Sequence, residues 1–80
     1  MLTDYIEAAM RHASCKMLTD DGSIYCEIPE CPGVWANEAN TDEALRELRS
    51  VLEGWIALGI AMHQPIPAID GVEISVLGVR

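Results

Sequence analysis

Basic residues are scarce in this 80-residue chain: five Lys and Arg stand against thirteen Asp and Glu, a net charge of −8. A field of that sign repels phosphate, so direct DNA binding works against long-range electrostatics and is not expected. The same field favours encounter with a basic partner. Long apolar runs are missing too. The longest, Trp55 to Met62, is far below the roughly 20 residues that a membrane span needs. Asp4 and Glu7 interrupt the N-terminal segment where a signal peptide would be apolar. A cytoplasmic location is expected, with thiols reduced.

Reactive side chains are few and badly spaced for chemistry. Cys15, Cys26 and Cys31 form no CxxC-like pair, which excludes the strong zinc spacings. Cys15 and Cys26 are expected to pack on an apolar face, while for Cys31, in a proline loop, an exposed and a buried thiol both stay open. Only His12 and His63 offer a general base, and both fall near expected helix C-termini, where a dipole role suffices. No nucleophile–base–orienter set emerges. A two-metal nuclease needs several convergent carboxylates, yet Asp20, Asp21, Glu27, Asp42, Glu43 and Glu47 fall in different regions. Gly54 and Gly59 lie within a helix rather than in a phosphate cradle. No catalytic residue, metal ligand or cofactor is expected, and the chain does not read as an enzyme.

Half the residues are apolar, generous for one small domain with a marginal core. Part of that surface is expected to meet another chain, so a homo-oligomer is predicted. The segment 1–13 carries an N-terminal helix, from about Asp4 to His12, with Thr3 as its cap. The segment 14–28 alternates with a period of two around Thr19-Asp20-Asp21-Gly22, which predicts a hairpin: a four-residue loop would set Cys15 opposite Cys26 and Met17 opposite Ile24, and closing the loop by one pair more would shift those partners by two and keep the same faces. A third strand spans 34–38, with Val34 and Ala36 facing one way and Trp35 the other. The main helix spans 41–62; Ala44, Leu45, Leu48, Val51, Leu52, Trp55, Ile56 and Leu58 form its apolar stripe. Pro65 forbids its continuation, and a last strand is expected over 72–78. The order αβββαβ is an α+β domain, with helices on one face of a small antiparallel or mixed sheet.

Tyr25, Ile28-Pro29-Glu30, Cys31-Pro32-Gly33-Val34, Thr41-Asp42-Glu43-Ala44, Trp55 and Pro65-Ile66-Pro67 occur in an order and spacing that resembles the HicB antitoxin family. The resemblance implies a shape related to ribonuclease H but without its carboxylate centre. It also implies a partner: a small basic RNA-cleaving toxin of the HicA type, neutralised by direct binding. Many members add a DNA-binding segment; only one expected strand follows Pro67 here, so that role is not carried over. The family pattern and the charge together nominate Glu30, Glu38, Asp42 and Glu43 as partner-binding acids. Trp35 is a candidate interface anchor, with a core or oligomer contact as the open alternative. Two other readings stand beside this one: a solitary structural or regulatory homo-oligomer, and a metal-dependent nuclease of ribonuclease H type.

Overall fold

A computed structural model describes residues 2–74. It contains α1 (Leu2–Arg11), β1 (Ser14–Met17), β2 (Ile24–Glu27), β3 (Trp35–Glu38) and α2 (Thr41–Ala61). The strands form one antiparallel sheet in the order β1-β2-β3. α2 lies across β2 and β3, and α1 packs beside α2.

Of the two registers the sequence allows, the hairpin takes that of the four-residue loop, Cys15 opposite Cys26 and Met17 opposite Ile24. Gly22 closes the loop at φ +73°, a left-handed conformation that only glycine adopts without steric cost. The β2–β3 connection tightens through turns at Ile28–Cys31 and Cys31–Val34, with Gly33 at φ +93°.

Alternation then sorts the two sheet faces. Cys26, Ile28, Val34 and Ala36 point beneath α2 and are buried. They meet Leu48, Leu52 and Ile56 from α2 and Tyr5, Ala8 and Ala9 from α1. β1 escapes this cover: all four of its residues are exposed, and Met17 retains 66% of its surface. One 21-residue helix centred over β2 and β3 cannot also roof the outer strand.

The two helices open differently. α1 begins at Leu2, so Thr3 lies inside its first turn rather than capping it as expected. α2 begins at Thr41, as its sequence predicts, and is capped by Asn40. The Asn40 side-chain oxygen accepts from the Glu43 amide at 2.9 Å, satisfying one of the orphan donors of the first turn. At the other end His63 takes φ +56°. Its N–H donates to the Ile60 carbonyl and that of Gln64 to the Gly59 carbonyl, the paired bonds of a Schellman motif.

One further expectation needs correction. Cys15 and Cys26 are joined in a disulfide, their Cα atoms 4.0 Å apart; they are not two reduced thiols packed in the core. The cause is the register itself: the pair occupies a position without ladder hydrogen bonds, where opposed Cα atoms come closest. Cys31, whose exposure the sequence left open, is buried, because the proline loop folds its thiol inward to 3.9 Å from the Tyr5 hydroxyl. As for the last strand, residues 75–78 lie outside the described ones. Within the described part, Val72 makes only a bridge to Ile69, across a turn with Asp70 and Gly71 both at positive φ.

Candidate protein-binding face

Three features converge where α2 begins beside β3. The first is the open strand edge. The Ile28 N–H donates to the Val34 carbonyl at 3.2 Å, and antiparallel ladders alternate from there. Ala36 therefore spends its backbone groups on Cys26, while those of Trp35 and Asn37 face outward. No described strand pairs with them.

The second is a groove of about 380 Å³ between that edge and α2. Gly33, Trp35, Ala36 and Asn37 wall one side, and Glu47 and Val51 the other. Glu38 stands at its end and is shared with a neighbouring hollow of about 210 Å³ lined by Glu43, Arg46 and Glu47. Three carboxylates thus surround a single guanidinium, which leaves a local excess of negative charge.

The third is the aromatic surface of the uncovered sheet face. Trp35 is 53% exposed. Its ring stacks on Tyr25 with centroids 6.0 Å apart and 26° between planes, and the Lys16 ammonium stands 5.9 Å from the Tyr25 centroid. The Tyr25 hydroxyl donates to Glu27 at 3.0 Å; that carboxylate holds the phenol proton and pushes its pKa up. Asn37 is fixed from the same side, its amide donating to the Ser23 hydroxyl and to the Ile24 carbonyl.

A separate cluster ties three segments together at the other end of the sheet. His12 sets Nδ1 2.8 Å from Glu30 and Nε2 2.8 Å from Asp70. Both ring nitrogens can donate at once only in the imidazolium, the form that this pair of contacts favours. The bonds to Asp70 and then Glu30 raise its pKa. Arg11 adds a contact to Asp70 at 3.7 Å. Beneath, the Tyr5 hydroxyl donates to the Pro67 carbonyl at 2.6 Å. Burial pushes the phenol of Tyr5 far above its ordinary range, and burial likewise raises the Cys31 thiol.

Among the described residues, no group of three or more His, Cys, Asp or Glu is placed to hold a metal ion. No helix among them is long and apolar enough to cross a membrane.

Residues 4–67 match the family model described as UPF0150-like. The chain belongs to the UPF0150-like family. The fold of that family is HicB-like, in line with the resemblance carried by the proline and glycine steps. No curated protein matches the chain. Among solved structures, the chain is similar to TTHA0281 from Thermus thermophilus, at 32% identity and a TM-score of 0.85, over 92% of this chain and 91% of that one.

Within this UPF0150-like fold the candidate residues separate into two places. Trp35, Glu38 and Glu43 are drawn together around the β3 edge and the opening of α2. Asp42 is exposed in the first turn of α2 beside them. Glu30 lies beyond the opposite end of β3, engaged by His12. Sequence reasoning missed Glu47, Val51 and Asn37 as parts of the groove. Glu47 is four residues after Glu43, so both lie on one helix face; that spacing is the signal that would have found it.

Proposed function

We propose that this chain is an antitoxin-like protein-binding module that neutralises a small basic RNA-cleaving toxin of the HicA type by covering it. The observation that carries the reading is the acid-rimmed groove of Glu38, Glu43 and Glu47 beside the exposed Trp35. Charge at the rim speeds encounter with a basic surface, and a half-exposed tryptophan beside the groove supplies a contact of the type that dominates interface energies. Membership of a HicB-like family supports the same reading.

The test is inhibition. A HicA-type toxin that cleaves RNA in isolation should lose that activity on addition of about one equivalent of this chain. Glu38→Lys with Glu47→Lys should restore cleavage at the same ratio. Undiminished cleavage at a large excess of the wild-type chain refutes the reading.

A second reading, self-association, is favoured by a different observation. Leu58 and Met62 retain 59% and 55% of their surface near the end of α2, one turn apart on the same side of the helix. Sedimentation at micromolar concentration tests it directly; a monomer throughout excludes it.

A further inference from the structure

We infer that the β3 edge is a strand-addition site, which takes an extended, basic segment of a partner as a fourth strand. This rests on the protein-binding reading above and specifies how that binding is made.

The two edges of the described sheet are not equivalent. The Leu18 N–H donates to the Ser23 carbonyl, so by the same alternation β1 turns the backbone of Cys15 and Met17 outward. That edge carries Lys16, and the disulfide ties it to β2. The β3 edge has neither a lysine nor a cross-link, and it borders the groove. An incoming strand would bond to the N–H and C=O of Trp35 and Asn37. Its side chains would then alternate across the sheet. Those on the helix side enter the groove between Ala36 and Val51 and pass Glu38 and Glu47. Those on the open side meet the ring of Trp35.

Charge decides the occupant. Glu38 and Glu47 line the groove and Glu43 adds a third carboxylate at its end, against Arg46 alone. An acidic strand, or β3 of a second copy with its own Glu38 and Glu47, brings like charges together in a confined space. A strand with Lys or Arg on its helix-side positions does the opposite. It also gives the outward amides the partners that a bare edge lacks.

The experiment uses the full chain, uniformly labelled with nitrogen-15, and two blocked hexapeptides, one alternating Lys and Val and the other alternating Glu and Val. Amide hydrogen exchange is followed at low ionic strength. The lysine peptide should slow exchange at Trp35 and Asn37 by about tenfold or more when saturating, leave Cys15 and Met17 unchanged, and be displaced by salt. The glutamate peptide should have no effect.

Trp35→Ala and Trp35→Pro both remove the ring, but only the proline removes an edge donor, and proline is tolerated on an exposed edge. Circular dichroism establishes that both fold. Binding should weaken by about a further tenfold from the alanine to the proline variant, the range of one lost backbone bond. The inference is overturned by protection at Cys15 and Met17 instead, by no protection, or by equal binding of the two variants. It is also overturned if Trp35 and Asn37 are already protected without peptide, or become so as protein concentration rises, which would assign the edge to the chain itself.

The two proposals fail separately. A toxin inhibited by this chain while both edge amides exchange freely keeps the antitoxin reading and discards strand addition. A lysine peptide that protects them while no toxin is inhibited does the reverse.

Discussion

The His12 imidazole donates from Nε2 to Asp70 at 2.8 Å, across 58 residues of sequence. Through the other nitrogen it holds Glu30 as well, so one ring fastens the end of α1, the β2–β3 loop and the turn after α2. No apolar packing could place these exposed groups so specifically, because hydrophobic contact is not directional. The clamp depends on the ring staying protonated.

That dependence has a sign. Contact with Asp70 and Glu30 raises the His12 pKa above its ordinary 6.5, so the folded chain binds this proton more tightly than the unfolded chain does. The stabilisation is complete below about pH 6.5 and is lost as pH climbs through the raised value. Thermal midpoints should therefore fall as pH rises from about 6.5 through the raised value. His12→Gln should flatten that decline. An equal slope in the variant would assign the pH dependence elsewhere.

The Cys15–Cys26 bridge closes a loop with a sequence separation of 11. Cross-linking over that distance stabilises by about 2–3 kcal/mol, chiefly by restricting the unfolded chain. Reduction should lower the urea midpoint accordingly, and Cys15→Ser with Cys26→Ser should reproduce the loss and be insensitive to reductant. Thiol titration of the denatured, oxidised chain should find Cys31 alone.

Tyr5 is fully buried, and its hydroxyl donates to the Pro67 carbonyl at 2.6 Å. Tyr5→Phe preserves the ring and strands that carbonyl, at a cost of about 1–2 kcal/mol. Chemical denaturation measures it. A neutral substitution would mean that the bond contributes nothing net.

Asn40→Ala removes the cap of α2 and should cost about 1 kcal/mol, whereas Asn40→Ser should recover most of it. Thr41→Ala tests the assignment, since Thr41 is the first helical residue and not the cap; its loss should be the smaller of the two.

How far the sequence foretold this structure follows from the range of each interaction. The hairpin and the faces of its strands were legible because alternation and the Gly22 turn agree within a dozen residues, whereas two registers with the same faces stayed open until the loop closed at four residues. That Trp35 faces away from the buried Val34 and Ala36 was legible for the same reason, whereas its exposure was left open against a core or oligomer contact. The disulfide was half-legible: the register put Cys15 opposite Cys26, but an expectation about redox compartment set the bond aside. The exposure of β1 was not, since it depends on where α2 sits across the sheet and not on the pattern of β1 itself. The clamp was invisible, as His12, Glu30 and Asp70 carry no mutual spacing. Of the candidate site, Glu38 and Glu43 were found by charge and order, whereas Glu47 needed the rotational phase of α2. Glu30 was grouped with them by the family pattern and charge, and the geometry of the sheet puts it at the other end.

The most direct test of the account titrates this chain into a HicA-type toxin and follows RNA cleavage, with wild type beside Glu38→Lys, Glu47→Lys. The account predicts that wild type abolishes cleavage near one equivalent, and that the double variant, folded to the same helix content, leaves it largely intact. Full cleavage in the presence of excess wild type, or equal inhibition by both chains, would contradict it.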